Sequence, residues 1–345
     1  MSQSSVGGFQ QWIEAVWYGK KPAGHWLIFL LFPINILYFL IVSFRRLIAL
    51  RATASDDLPC PVIVVGNISI GGNGKTPFVI WLVEQLKAKG YHPGVISRGY
   101  GGKSEHYPLS VSSSMAATQT GDEPLLIARR LGCPVVVGPN RIADSQQLIA
   151  EFGCDVIISD DGLQHYKLPR DIELVIVDGQ RRFGNQWLLP IGPLREPVNR
   201  LQSVDFAIVN GNPTEPYHYL LQPGLFYPVK QGNTTSASHQ GLTAEALKQR
   251  FGDVFVAASG IGNPERFYQT LATTGLQLST QQSFIDHHKF TASDFSFVGD
   301  LPLIMTEKDA VKCVDLSLQN AWYLPVNAVL SEAFFEKLVN KIRKI

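Results

Sequence analysis

The chain has 345 residues, room for two domains at about 150 residues each. A hydrophobic fraction of 45% excludes a disordered chain, and a net charge of +1 gives no electrostatic ground for nucleic-acid binding. Cys60, Cys133, Cys154 and Cys313 are scattered without metal-ligand or redox spacing and read as buried thiols of a reducing compartment.

At the N-terminus, Phe9, Trp12, Ile13, Val16 and Trp17 recur at helical spacing, a stripe suited to a membrane interface or to the protein's own core. Trp26 to Phe44 carries no charged residue. As a helix it would span about 28 Å, close to the ~30 Å hydrocarbon core of a bilayer. Lys20 and Lys21 precede it, Arg45, Arg46 and Arg51 follow it, and Trp26 and Tyr38 are candidate interface anchors. The run starts too late, and lacks the small-residue site, for a cleaved signal peptide. Pro33 and Asn35 interrupt it, leaving a kinked span and an interfacial helix pair both open, beside a buried helix of a soluble domain. The arginines on the side leading into the rest of the chain suit a cytoplasmic catalytic region.

The apolar run Val62-Ile63-Val64-Val65 empties into Gly71-Gly72-Asn73-Gly74-Lys75-Thr76. Glycines in such a turn let backbone N–H groups converge on an anion. A lysine supplies charge for β/γ-phosphate oxygens, and a threonine hydroxyl is a ligand for Mg²⁺. The strict phosphate-loop pattern wants glycine where Ser69 stands, but the strand before and the apolar stretch Phe78, Ile80, Trp81, Leu82 and Leu86 behind restore the context. Gly90 predicts the helix stop. The segment predicts a nucleoside triphosphate site and transfer or hydrolysis of the γ-phosphoryl group.

Strands and helices then alternate. Strands are predicted at 95–97, 134–137, 154–159, 172–177 and 206–209, with helices at 122–131 and 140–152 and a polar surface loop over 110–120. Residues 212–241, rich in Pro, Gly, Gln, Ser and Thr, read as a domain junction. Beyond it come a strand at 254–257, a helix at 264–273, a strand at 303–305 and a closing helix at 330–342. The fold class is α/β: a mostly parallel sheet with flanking helices like that of phosphate-loop NTPases, a second smaller α/β domain, and an N-terminal hydrophobic, membrane-associated helix. The expected division is 1–50 for the membrane-associated segment, 51–215 for the phosphate-loop core and 216–345 for the smaller domain.

Phosphoryl transfer needs an acidic handle for magnesium at a strand end beside the phosphate-loop strand. Asp160-Asp161 and Asp178 both fit, and pattern alone does not choose between them. Asp122 opens a helix after Gly121, either as an N-cap or as a carboxylate taking a proton from an acceptor hydroxyl. His287 and His288 form either a surface pair or part of a site. Arg141 and Arg195 are candidate phosphate ligands or solvated loop arginines.

Several segments in order resemble the tetraacyldisaccharide 4′-kinase family: Gly66 to Pro77, Ser97-Arg98-Gly99-Tyr100-Gly101, Gly121-Asp122-Glu123-Pro124, Asp160-Asp161-Gly162-Leu163-Gln164-His165, Leu189 to Pro197, Asp286-His287-His288 and Thr306 to Lys312. The family's own loop carries the serine at Ser69. The resemblance implies an ATP- and Mg²⁺-dependent enzyme at the inner membrane, its catalytic domains facing the cytoplasm. Its acceptor would be a tetraacylated glucosamine disaccharide 1-phosphate, phosphorylated on the 4′-hydroxyl to give lipid IVA. No nucleic acid and no obligate protein partner are implied. By motif, Gly71, Gly72, Asn73, Gly74, Lys75 and Thr76 hold the nucleotide, and Thr76, Asp160 and Asp161 the metal, which demotes Asp178. Asp122 resembles the general base and His287 its partner. Tyr100, Asn140, Gln164, His165, Arg195 and Glu196 resemble residues that line the substrate site. If Asp122 and His287 fell in different domains, domain closure would have to assemble them.

Two other classes stand beside this one. A membrane-tethered NTPase driving a partner would share the glycine-rich turn, but the deviant loops of partitioning and metallochaperone ATPases have a lysine where Ile70 stands. A non-catalytic nucleotide-binding module would have little need of Lys75, Thr76 and several acids. A GTPase reading lacks its Asn-Lys-x-Asp motif.

Overall fold

The computed structural model describes residues 12–19, 25–51, 58–229 and 240–345 and, within the first long helix, the side chains of residues 29–49. Phe9, Lys20, Lys21 and the side chains of Trp26 and Arg51 lie outside the described residues. In chain order the strands are β1 (Val62–Gly66), β2 (Pro93–Ser97), β3 (Leu109–Ser110), β4 (Val135–Val137), β5 (Val156–Asp160), β6 (Ile172–Asp178), β7 (Phe206–Asn210), β8 (His218–Pro223), β9 (Tyr227–Pro228), β10 (Val254–Ser259), β11 (Gln277–Ser283), β12 (Leu303–Thr306), β13 (Ala321–Leu324) and β14 (Val326–Leu330).

The chain divides into two compact units, each discontinuous in sequence. One holds residues 1–75, 159–220 and 330–345, the other 76–158 and 221–329. The expected boundaries at 50/51 and 215/216 do not coincide with these. The physical reason lies in the second unit, where Leu125 and Leu126 of the helix Asp122–Leu131 cluster with Val311 of the helix Glu307–Cys313. Arg130 adds an ion pair to Glu307 at 2.8 Å. These contacts join a segment of the expected core to a segment of the expected small domain.

In the first unit β1 pairs in parallel with β6, β6 with β7, and β7 with β8, the Asn210↔Tyr219 pair extending the sheet. Every residue of β1 is buried, as a parallel strand covered on both faces requires of a Val/Ile run. The boundary between the units at 220/221 falls inside the expected junction 212–241, and that stretch also holds a strand, β8, whose Tyr219 is fully buried. The closing helix runs Glu332–Ile342 and buries Phe334, Phe335, Leu338 and Val339.

In the second unit β2 and β4 pair in parallel, and β3 runs antiparallel to β4 where a loop is expected. A five-stranded sheet follows in the order β11-β10-β12-β13-β9, parallel except for β9. Phe255, Ala257, Leu271, Ile304 and Trp322 fill one of its faces. The helix Lys75–Ala88 buries seven residues, Phe78 to Val83 and Leu86, so it is enclosed rather than amphipathic. Each fully buried large side chain contributes about 1.5–3 kcal/mol relative to exposure.

The hydrophobic N-terminal segment is one helix, His25–Arg51, continuing through Pro33. The 21 residues Phe29–Ala49 are long and apolar enough to cross a membrane. Most of the large side chains stay uncovered, with Phe29 83% exposed and Phe44 64%. Asn35 is the exception: buried, it donates through Nδ2 to Leu188 O at 2.6 Å and Leu189 O at 3.2 Å. One turn on, Tyr38 Oη donates to Arg195 O at 3.2 Å. A polar residue that looked like an interruption of the span is thus an attachment to the body. Residues 12–17 form a short helical segment docked on the protein itself, with Trp17 Nε1 donating to Pro190 O at 3.1 Å.

Candidate active site

The phosphate loop is braced from several sides within the first unit. Ser69 is buried, and its Oγ accepts from Asn73 Nδ2 at 3.0 Å. Asn73 O accepts from Asn210 Nδ2 at 3.0 Å, and Gly74 O accepts from Tyr219 Oη at 2.7 Å. Gly74 has φ +89°, and a Cβ there would sit 2.3 Å from Asn210 Nδ2 and 2.6 Å from Tyr219 Oη. Glycine is therefore required both by conformation and by the closeness of the two braces. Arg181 Nη2 donates to Gly72 O at 3.2 Å. Lys75 and Thr76 are the first two residues of the helix Lys75–Ala88, which places the loop at a helix N-terminus, the end that favours anions.

Asp160 closes β5 and Asp161 follows it. Asp160 is fully buried, while Asp161 adopts φ +51° and turns its carboxylate onto Lys75 Nζ at 3.2 Å and Arg195 Nη1 at 3.1 Å. Burial alone would raise the Asp161 pKa, but these two cations hold it well below the usual carboxylate range. Arg195 is positioned by backbone: its N–H donates to Ile68 O at 2.7 Å, and Ile70 N donates to Pro193 O at 2.8 Å, so the block Leu189 to Pro197 lies along the entry to the phosphate loop. Gln164 Nε2 donates to Asn67 O at 3.0 Å and to Glu196 Oε1 at 2.7 Å. Glu196 is fully buried and also pairs with Arg200 at 3.2 Å, so it acts through Gln164. His165, half-buried, offers its carbonyl to Arg170. Asp178 is committed elsewhere. It caps its own turn by accepting from Gln180 N and Arg181 N, and it pairs with Arg181 Nε at 3.0 Å.

The second unit carries a separate cluster. Asp122 is the first residue of its helix, after Gly121 at the N-cap position, and its Oδ1 accepts from Glu123 N at 3.0 Å. His287 Nδ1 donates to Asp122 Oδ2 at 3.0 Å and lies 3.1 Å from Oδ1. The imidazole rests against the Tyr100 ring, centroids 4.7 Å apart, and His287 has φ +59°, a left-handed conformation uncommon for a non-glycine residue. Burial would raise the Asp122 pKa, but the hydrogen bond from His287 and the charges of Lys308 and Lys312 outweigh it and hold the carboxyl at about 2. Burial would lower the His287 pKa, yet the hydrogen bond to Asp122 raises it above 6.5. His288 turns away, pairing with Asp294 at 3.2 Å and stacking on Phe284.

Both members of the Asp122–His287 pair belong to one compact unit, already in contact. The structure thus brings together Lys75, Asp161, Arg195, Gln164 and Glu196 in the first unit, and Asp122, His287 and Tyr100 in the second. Asn140 is the N-cap of the helix Arg141–Phe152, where its side chain accepts from Ile142 N and Ala143 N. Arg141 is buried in that helix, not solvated on a loop. Sequence reasoning missed Arg181, Asn210 and Tyr219, which have no local motif, and Lys308 and Lys312. The last two were visible as lysines four residues apart in the block Thr306 to Lys312, one face of a helix turn.

A family-level comparison matches residues 27–343 to the family described as LpxK, Tetraacyldisaccharide-1-P 4'-kinase. The chain is 45% identical over 344 residues to a tetraacyldisaccharide 4'-kinase of Hahella chejuensis, covering 97% of each chain. It is 49% identical over 331 residues to one of Psychromonas ingrahamii, covering 95% of this chain and 98% of that one. The crystal structure of LpxK from Aquifex aeolicus in complex with ATP superposes with a TM-score of 0.74 at 28% identity, covering 92% of this chain and 99% of that one. A braced phosphate loop, the acidic strand end and the Asp–His pair occur here on a chain matched almost from end to end: it belongs to the tetraacyldisaccharide-1-P 4'-kinase family.

Proposed function

We propose that this protein transfers the γ-phosphoryl group of ATP to the 4′-hydroxyl of a tetraacylated glucosamine disaccharide 1-phosphate, the 4′-kinase step of lipid A biosynthesis. The observation that carries the reading is the coexistence of the phosphate loop with a part-buried Asp–His hydrogen bond of 3.0 Å on a family-matched chain. A phosphate loop alone binds nucleotide; a carboxylate–imidazole pair adds a proton acceptor for an alcohol.

In this reading the Gly71–Thr76 loop and Lys75 cradle the phosphates, and Arg195 adds positive charge toward the transferring group. Asp161 holds Lys75 and Arg195 in position. Asp122 and His287 orient the acceptor hydroxyl and take its proton, with Tyr100 packed against the imidazole. Gln164, His165 and Asn140 line the substrate, and Glu196 fixes Gln164.

Hard oxygen donors suit Mg²⁺, which binds through one or two carboxylates and completes its shell with phosphate and water. Asp160, Asp161 and Thr76 provide that set, and the buried side-chain atoms of Asn67 and Ser159 Oγ have no hydrogen-bond partner among the described residues, leaving capacity near the ends of β1 and β5 for polar ligands. When bound, the ion would neutralise charge on the β and γ oxygens. The ion pair of Asp161 with Lys75 sets it against the phosphate loop, while Asp178 caps its own turn, which favours Asp160 and Asp161 for this role.

The uncovered apolar helix supports association with the inner membrane, where an acceptor with four acyl chains resides, the catalytic units facing the cytoplasm. The deciding assay combines purified protein, γ-labelled ATP and the lipid disaccharide. Label in the lipid supports the kinase, release of free phosphate alone favours a tethered NTPase, and no turnover favours a nucleotide-binding module.

A further inference from the structure

Behind the Asp122–His287 pair lies a set of charges that the reaction as described does not use. Lys308 Nζ is largely buried and touches three carboxylates: Glu123 Oε1 at 2.8 Å, Asp286 Oδ1 at 3.1 Å and Asp122 Oδ2 at 3.9 Å. One turn along the same helix, Lys312 Nζ lies 4.0 Å from Asp122 Oδ2 and 2.8 Å from Asp309 Oδ1, over the Phe290 ring. Both ammonium groups and the His287 N–H therefore converge on one carboxylate oxygen.

The helix that carries the lysines is fixed. Thr306 Oγ1 donates to Asp309 Oδ2 at 2.6 Å and accepts from Asp309 N at 3.1 Å, and Asp309 Oδ2 accepts from Gly260 N at 2.8 Å. Asp286 and Glu123 are the sequence neighbours of His287 and Asp122 respectively. One ammonium group thus clasps the residue beside each member of the pair as well as Asp122 itself.

We propose that Lys308 is a positioning residue for phosphoryl transfer: by bridging Glu123, Asp286 and Asp122 it fixes the geometry of the Asp122–His287 pair and balances its charge. The inference rests on the reading of that pair as the proton acceptor.

Among the described residues, the charged groups facing the pair are Glu123 on the Asp122 helix, Asp286 beside His287, and Lys308, Lys312 and Asp309 on the Glu307–Cys313 helix; the Tyr100 ring covers the imidazole. With His287 neutral, four carboxylates surround two ammonium groups, so the cluster carries an excess of negative charge. Without Lys308 that excess grows, and the pair would hold its proton into the neutral range, where it must be free to accept one. The direction agrees with burial: Lys308 is harder to charge when buried, yet its carboxylate neighbours, Glu123 foremost, keep it protonated far above the working range. Lys308 also opposes the rise that Asp122 imposes on His287.

The test uses the full chain with Lys308→Met, Lys308→Arg and Glu123→Gln. Two readouts are taken: the pH profile of kcat/KM for lipid phosphorylation, and the NMR titration of the His287 imidazole without substrate. Lys308→Met should lower kcat about tenfold to hundredfold with the KM for ATP within about twofold. Its acidic limb and His287 midpoint should move up by about one pH unit, a tenfold change in proton affinity. Lys308→Arg should return the limb to its place, since the charge is kept. Glu123→Gln, which removes a negative charge, should move both readouts down. A fall in kcat with limb and midpoint unmoved in Lys308→Met overturns the proposal, as does an unmoved midpoint in Glu123→Gln, which decides alone if Lys308→Met does not fold. If Asp122→Asn keeps wild-type kcat, the proton-acceptor reading fails instead, and the titration still reports whether Lys308 acts on His287.

Discussion

Ser69 Oγ accepts a hydrogen bond from Asn73 Nδ2 at 3.0 Å, joining the approach to the phosphate loop with the loop's own third residue. The serine that departs from the strict glycine pattern is therefore a brace, and both residues are buried. Replacing it with the pattern's glycine should loosen the loop. A hydrogen bond contributes about 0.5–1.5 kcal/mol net, and a buried amide left unsatisfied costs more. Ser69→Ala is expected to raise the KM for ATP about threefold to tenfold, and Ser69→Gly further, because glycine adds backbone freedom. Nucleotide titration by calorimetry checks this; unchanged ATP affinity in Ser69→Gly would show that the bond carries no weight.

The Asp122–His287 pair titrates as a coupled unit. Its imidazolium form cannot take a proton, so activity should rise with pH through a midpoint above 6.5, the direction in which Asp122 pushes His287. Asp122→Asn should reduce kcat by about 10²–10⁴ and move the His287 midpoint down. Stability follows the same linkage. The raised His287 stabilises the fold fully below 6.5 and loses that contribution as pH rises through its folded value. Asp122, held at about 2 against an ordinary 3.8, contributes above 3.8 and loses its share as pH falls through about 2. Thermal melts of the wild type and Asp122→Asn across pH 3–9 should diverge most between those limits; parallel curves would contradict the coupling.

Deleting residues through Phe44 should reduce activity on acceptor presented in a bilayer more than on acceptor dispersed in detergent. The uncovered face of the helix has apolar surface to bury only in the first case. Equal loss in both assays would assign the helix a purely structural role.

Asp144 offers a stability prediction away from the chemistry. It is fully buried, and neither carboxylate oxygen has a hydrogen-bond partner among the described residues. Burial pushes its pKa up to about 7, with Arg141 opposing. A raised carboxyl stabilises the fold while protonated and loses that contribution as pH rises from 3.8 through about 7. Asp144→Asn should therefore raise stability at pH 8 by on the order of 1–3 kcal/mol and change little at pH 5, read by denaturant melts at the two values. A destabilised variant at pH 8 would mean that the charged form is accommodated.

The parts of the fold that were legible are those where local pattern and tertiary environment agree. The Val/Ile run of β1, the helix Asp122–Leu131 and the helix Pro264–Thr273 stand where periodicity and end signals put them. β8 and β11 were not legible, because the short apolar core of His218–Pro223 sits in a polar, Pro-rich stretch and Gln277–Ser283 is mostly polar, and the strand state of both comes from pairing with β7 and β10. In the site, Lys75, Asp160, Asp161 and Asp122 announced themselves through short motifs. Tyr219, Asn210 and Arg181 did not, since a brace is defined by where the chain returns and no spacing encodes that. Asp178 shows the converse: its strand-end position matches that of Asp160 in pattern, and its bonds to Gln180 and Arg181 come from a turn that the pattern does not encode.

Asn35 and Tyr38 stand three residues apart on the long helix and reach the same stretch of chain, Leu188 to Arg195. Two bonds on one side of a cylinder remove its freedom to roll. The helix consequently has a single rotational phase, and a turn of ~100°, one residue's worth, would swing both donors off their carbonyls. Whatever surface receives the apolar side thereby dictates the azimuth of the arginine-bearing segment: the helix behaves as a keyed shaft, so its orientation and that of Arg195 are one variable.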